Sequence, residues 1–341
     1  MIHTEDVKNI NQILLNKLNI VYKTTPNKSF LQDPNFIILD DQNYTCFFYE
    51  NNNKIEAYCF VKESYFSKFN KIKSCLISFG VISQNDSFEE LLFDYIISFY
   101  KKKNFTDITI DFLLNTFPNK YGSKYNLIEE TQFNRGTLLI DLTIDFESIY
   151  KNFSTLLKKN YKKGINSNLI IKELTEENEF ADFLHLHIKL SASRNIDLIT
   201  EKQIIRSLHF IKNKKSGIIL GCFKENQMIG GVACIAQGKR IEYYLGVSDP
   251  AFRKLPLSHL TLIRAIEKAK EKGFDWFDMG GVILDTPPEN QIHNITNFKL
   301  NFSSNFNKYY PKSLIKLNVA YYNMKTIYLG LHKVFSKLKS F

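Results

Sequence analysis

Apolar positions in this chain follow two periods, and the switches between them mark out its elements. Residues 5–20 have the spacing of a weakly amphipathic helix. Apolar or alternating runs at 36–39, 44–49, 55–61 and 72–82 predict strands, and Asn51-Asn52-Asn53 is a natural hairpin turn between the second and third. Ser87-Phe88-Glu89-Glu90 has the form of a capping box opening a helix over 88–102, with Leu92, Ile96 and Phe99 on one face. A strand at 105–112 carries Asp111 at its end, and 113–136 reads as irregular connection.

The second half repeats this order. It starts with a strand at 137–142, a helix over 146–165 with a densely basic end, and a strand at 169–173. Thr175 is placed to cap a helix to about 191, and Thr200-Glu201-Lys202-Gln203 is a second capping box for a helix to about 212. Strands at 217–223, 228–236 and 240–247 are joined by Glu225-Asn226-Gln227 and Gln237-Gly238-Lys239. Ser258 is expected to cap a helix to 272, with Gly273 just beyond its end. Phe274-Asp275-Trp276-Phe277-Asp278 reads as a strand ending on a carboxylate, followed by Gly280-Gly281 as a sharp bend or a close approach to a ligand. The paired prolines 287 and 288 lead to Asn297-Phe298-Lys299-Leu300-Asn301-Phe302, and a Tyr- and Lys-rich helix over 317–339 closes the chain.

Each half therefore reads hairpin, strand, capped helix, strand ending in Asp. That order resembles the core of the GNAT acyltransferase fold, present twice. Four stretches make the resemblance specific to the FemAB-type branch of that superfamily. They are the basic run Leu157-Lys158-Lys159-Asn160-Tyr161-Lys162-Lys163-Gly164-Ile165, the segment Ser191-Ala192-Ser193-Arg194-Asn195-Ile196, the strand Tyr243-Tyr244-Leu245-Gly246-Val247-Ser248 continuing to the Asp-x-Gly-Gly turn at Gly281, and Asn297-Phe298-Lys299-Leu300-Asn301-Phe302 with its Phe-Lys-x-x-Phe pattern. The similarity spans about 137–310. Ser303-Ser304-Asn305 stand where the family often has glycines.

The resemblance implies an α+β chain of two tandem GNAT-like domains, mixed sheets flanked by helices. The domains are expected at 1–136 and 137–316, with a basic helix over 317–341 packing back on the first. It also implies acyl or aminoacyl transfer onto an amine of a cell-envelope precursor, since members of the branch add amino acids from aminoacyl-tRNA to cell-wall peptide precursors. The donor is left as acyl-CoA or aminoacyl-tRNA. In ordinary GNAT enzymes a Gly-containing turn holds the CoA pyrophosphate on backbone N–H groups. Here the matching place reads Arg253-Lys254-Leu255-Pro256, and Pro256 lacks an N–H, which is expected to weaken that cradle.

Composition changes the picture in one respect. The net charge of +10 is concentrated, with eight lysines and no acidic residue from Gln291 to Phe341, and five lysines and no acid over 151–163. Such clusters attract phosphates, RNA or an anionic membrane surface, so a non-catalytic RNA- or membrane-binding protein is the rival reading. Lys158, Lys159, Lys162 and Lys163 share one helical face and are assigned to phosphate binding, whether of charged tRNA or of a small or lipid-linked precursor. On the last helix, Lys325, Lys333, Lys337 and Lys339 would lean on an anionic membrane, while Ile327, Leu331 and Phe335 would pack inward. No role on DNA is expected.

The five cysteines lack CxxC spacing and read as reduced core thiols, and no apolar run approaches the ~18 residues of a spanning helix. The start of the sequence has no signal-peptide pattern, which predicts a cytoplasmic protein. Acyl transfer needs a charge-balancing group and a proton acceptor. Lys299, Asp278, His259 and Tyr244 are the catalytic candidates; Tyr243, Gly280, Gly281, Arg194, Arg253, Lys158, Lys159, Tyr161 and Lys162 are the binding candidates. No metal ligand set is apparent, because His185 and His187 fall on different helix faces.

Overall fold

Each of the chain's two units has a hydrophobic core around its own mixed sheet. The computed structural model describes residues 1–26, 28–65, 72–111, 124–125, 127–129, 134–194 and 199–327, except for the side chains of residues 129 and 194. One unit comprises Met1–Gln132 and Tyr309–Phe341, the other Phe133–Lys308.

The first unit contains β1 (Ile2–Asp6), α1 (Gln12–Thr24), α2 (Pro34–Ile37), β2 (Tyr44–Asn51), β3 (Lys54–Tyr65), β4 (Lys73–Ser78), β5 (Ile82–Ser83), α3 (Asp86–Lys102), β6 (Asp107–Asp111) and β7 (Ile128–Glu129). The second contains β8 (Arg135–Asp141), α4 (Phe146–Asn152), α5 (Thr155–Ile165), β9 (Ile170–Glu173), α6 (Glu177–Arg194), α7 (Glu201–Lys214), β10 (Gly217–Lys224), β11 (Gln227–Gln237), β12 (Arg240–Ser248), α8 (Leu257–Glu271), β13 (Trp276–Ile283), α9 (Gln291–Leu300) and β14 (Phe306–Lys308). A last strand, β15 (Ser313–Lys316), returns to the first unit.

The sheets share one plan. The first runs β1-β2-β3-β4-β6-β15-β7 and the second β9-β10-β11-β12-β13-β8-β14. Each has an antiparallel meander, one parallel pair (β4 with β6, β12 with β13), and then an antiparallel strand. The expected duplication is therefore present as two tandem GNAT-like folds. The parallel pairs differ. β4 and β6 stay in register over Ser74–Ser78, whereas β12 and β13 pair only through Arg240–Glu242 and Trp276–Asp278 before separating.

Local chemistry explains most of the elements. The asparagine turn forms as expected, with Asn52 and Asn53 both at positive φ, and Glu225 and Asn226 repeat the device. The capping box at Thr200 makes both of its hydrogen bonds.

Several expectations are corrected. Residues 36–39 do not form a strand: Asp33 caps the one-turn helix α2 and Pro34 takes its first turn, where a missing N–H costs nothing. The run 72–82 breaks at Phe79 and Gly80, both at positive φ. Asn85, not Ser87, caps α3. The helix expected over 146–165 is two helices, because Ser154 in extended conformation caps α5. Ser258 does not cap α8, whose N-cap is Pro256 with no side-chain bond.

Strand β15, placed by sequence in the second domain, pairs with β6 of the first sheet. Residues 319–327 are helical, and 328–341, with Lys333, Lys337 and Lys339, lie outside the described residues. Lys325 is not surface charge: its Nζ lies 2.9 Å from both oxygens of the fully buried Asp107 and 2.8 Å from Ser74 Oγ. Ile327, expected to pack inward, is exposed. Among the described residues no helix is long and apolar enough to cross a membrane.

Candidate active site

The opening between β12 and β13 has two backbone causes. On β12, Ala233 faces Leu245 and Cys234 faces Tyr243, so Tyr244 is an extra residue, a β-bulge that bends the strand. On β13, Asp278 pairs with Leu139 and Gly281 with Thr137, leaving Met279 and Gly280 opposite one residue. Gly280 takes φ +70°, which an L side chain resists. The strand expected to end at Asp278 therefore continues to Ile283, and the two glycines kink it rather than end it. Between β12 and the helix α9 (Gln291–Leu300) lies a cavity of about 550 Å³ that Lys299 reaches.

The helix that delivers Lys299 was not foreseen from sequence. Asn290 caps α9, and Thr296 Oγ1 accepts from Ile283 N and donates to Ile283 O, each at 3.2 Å, which fixes the helix to β13. At its far end Ser154 N donates to Asn301 O (3.0 Å) and Ser154 Oγ donates to Asn301 Oδ1 (2.6 Å). Phe302 is buried, in edge contact with Phe153 and Phe298. So held, Lys299 is 8% exposed, and its Nζ donates to Gly281 O at 2.9 Å and lies 5.8 Å from the Tyr243 ring centre. Burial lowers its pKa to about 8, against the pull of Glu242 and Asp278.

Beneath it lie three more charged groups. Asp278 is fully buried and accepts from Thr137 Oγ1 and from Gly280 N (2.7 Å), while its Oδ2 lies 3.4 Å from Arg240. Glu242 stands opposite Asp278 in register and accepts from Gln237 Nε2 at 2.5 Å. Burial and the Asp278 charge push the Glu242 carboxyl upward. The missing side chain of Gly280 leaves a gap that Lys299 Nζ and Glu242 Oε1 both face, 3.3 and 3.7 Å from where a Cβ would stand. Gly280→Ala is expected to cost roughly 1–2 kcal/mol in backbone strain. Its activity loss should exceed what that destabilisation explains, as parallel melting and turnover measurements would show.

The structure brings together Lys299, Asp278, Tyr243, Gly280 and Gly281, and separates the other candidates from them. Tyr244 leaves the cavity to meet Ser207 of α7 at 3.2 Å. His259 packs its ring against Phe298 and Phe302, with Nε2 3.5 Å from Asn160, and burial lowers its pKa. Tyr161 donates to Glu267 at 3.2 Å, and burial with the Glu267 charge raises its pKa to about 12. Lys158 Nζ donates to Lys151 O (2.7 Å) and Lys163 Nζ to Lys254 O (2.9 Å), whereas Lys159 and Lys162 are exposed. Arg253 is exposed as well, and the side chain of Arg194 lies outside the described residues.

Pro256 occupies the N-cap, so the first amides of α8 keep their N–H groups, with no side chain capping them. Sequence reasoning missed Glu242 and Arg240. Their signal was two charges at alternate positions of an otherwise apolar strand.

A second cavity of about 450 Å³ lies beside β9 and α8. Its charges are paired with one another or with neighbours, as in Arg264–Glu267, Lys268–Glu271 and Lys272–Glu173. Among the described residues, no group of three acidic, His or Cys side chains could hold a metal ion.

A parallel strand pair opened by a bulge, with a helix starting at its mouth, is the arrangement expected of the GNAT fold. Residues 164–290 match the family model described as an acetyltransferase (GNAT) domain. The fold is similar to that of FemX, with TM-score 0.78 and 10% identity over 94% of this chain and 99% of that one. It is also similar to a lysylphosphatidylglycerol synthase from Bacillus licheniformis (TM-score 0.61, 11% identity, 92% of this chain and 94% of that one). A tandem GNAT protein of the clavulanic acid biosynthesis pathway has TM-score 0.54 and 8% identity, covering 93% and 99% of the two chains. At these identities the likenesses establish the fold. No curated protein matches the chain in sequence.

Proposed function

We propose that the chain transfers an acyl or aminoacyl group, carried by CoA or by tRNA, onto an amine of a cell-envelope precursor. The observation that carries this reading is Lys299, a buried ammonium fixed at the floor of the cleft where the two parallel strands part. A donor carbonyl seated between β12 and β13 meets this charge. As the amine nitrogen attacks the carbonyl carbon, negative charge grows on the oxygen and Lys299 stabilises it, worth most in a site that excludes water. The leaving thiol or hydroxyl takes a proton from Lys299, and Lys299 recovers one from the attacking nitrogen as the new C–N bond forms. Asp278 serves as a fixed charge, its Oδ1 held by Thr137 and Gly280 N and its Oδ2 facing the Arg240 guanidinium.

The envelope acceptor is supported by the FemAB-type motif around Lys299 and by the fold likeness to FemX and to lysylphosphatidylglycerol synthases. The test is incubation with acyl-CoAs and charged tRNAs beside sugar, peptide and lipid-linked amines, read by mass spectrometry. No transfer from any donor to any amine would end this reading.

The basic face of α5 is assigned to phosphates of donor or acceptor. Charge reversal at Lys158 and Lys162 together should weaken binding of tRNA or of a diphosphate-bearing acceptor, with a smaller effect at high salt. Unchanged affinity at two salt concentrations would make the face merely solvated.

A further inference from the structure

The cavity between β12 and α9 has a lining that selects for charge, and this inference rests on the acyl-transfer reading. Leu190 of α6, Leu245 of β12, and Ile295 and Phe298 of α9 supply apolar walls, and Asn294 and Gln291 are polar but neutral. Lys299 is the one charged group among the described residues that line it. The carboxylates around Lys299 are not among the described lining residues and are engaged elsewhere, Asp278 by Thr137 and Gly280 N on Oδ1 with Arg240 beside Oδ2, Glu242 by Gln237, and Asp249 by Lys189. We propose that the transferred group is one whose side chain is uncharged and apolar, and that a cationic group such as lysyl is refused.

The physical reason is twofold. A side-chain ammonium placed against Leu190, Leu245 and Ile295 gives up water and finds no acidic partner among the described residues that line the cavity. It also meets the like charge of Lys299, in surroundings where such repulsion is stronger than in bulk water. An alkyl chain of the same length loses nothing on entering and gains burial against the same walls. Refusal of this kind specifies by repulsion as much as by fit.

The test uses matched pairs that differ in one terminal ammonium. One pair is S-hexanoylpantetheine and S-(6-aminohexanoyl)pantetheine; the other is the 3′-amide of deoxyadenosine carrying norleucyl or lysyl. Binding to the full chain is measured by calorimetry at pH 7. In whichever series binds, the neutral member is expected to bind about tenfold tighter or more.

Three further results are expected. The ratio should shrink above pH about 8, as Lys299 loses its proton in the presence of Arg240, Glu242 and Asp278. It should shrink equally in Lys299→Met. In Ile295→Asp, at a half-exposed position that tolerates substitution, it should narrow or invert. A cationic member that binds as well as its neutral twin overturns the proposal, and so does failure of both series to bind. A neutral preference in binding without transfer to any amine would sink the transferase reading and leave the selectivity of the cavity standing.

Discussion

Lys299→Met should lower turnover by about 10²–10³-fold while leaving acceptor affinity within a factor of a few, the pattern for an interaction made only in the transition state. Methionine keeps the bulk and removes the charge, so the fold should survive. If the chain only bound RNA or membrane, the same change would weaken binding slightly, in proportion to one lost charge, and there would be no turnover to lose.

The pH dependence follows from the lysine's lowered pKa. Protonated Lys299 is the active form, so the rate should fall as pH rises through about 8, and the variant should lack that limb. Stability moves the other way. Between about 8 and the ordinary lysine value of 10.5 the unfolded chain holds more protons than the folded one, so burial of this charge costs less as pH rises through that window. A wild-type rate profile that is flat from pH 7 to 9.5 would remove Lys299 from the role given to it.

The second large effect lies in the first unit. Asp107→Ala removes the carboxylate that Lys325 Nζ meets at 2.9 Å, and loss of one partner of a buried pair costs about 3–5 kcal/mol. For a unit of this size that lowers the melting temperature by on the order of 10 °C. Lys325→Met should cost less, because Asp107 keeps hydrogen bonds from Ser74 (2.9 Å) and Thr106 (2.7 Å). The double variant should recover part of the loss. Calorimetry on the three variants checks the order, and equal melting temperatures for wild type and Asp107→Ala would show the pair to be idle.

The elements whose signals are local could be read in the sequence. Asn52-Asn53 turned the first hairpin, Thr200 with Gln203 capped α7, and Gly273 ended the helix before β13. The motif around Lys299 was legible, but the helix beneath it was not, because α9 has a mixed polar and apolar surface and no clear stripe. Residues 36–39 failed for the opposite reason: an apolar run fits strand or buried helix, and Asp33-Pro34 decided it. Tyr244, a catalytic candidate by sequence, is the extra residue of the bulge and meets Ser207 instead. Nothing local marks where a distant strand will pair. That is why β15 was assigned to the neighbouring domain and Lys325 to the surface.

The return of β15 has a consequence for how the protein is made. Strand β6 leaves the ribosome roughly two hundred residues before the strand that completes its edge, a delay of ten seconds or more at ordinary rates of synthesis. Throughout that interval the edge of β6 that β15 will cover offers unpaired N–H and C=O groups to any other extended chain. The second unit is one continuous stretch, so it can complete its sheet while the first still waits. A nascent chain stalled before Ser313 should therefore resist protease over 133–308 and remain open to chaperones over the first sheet.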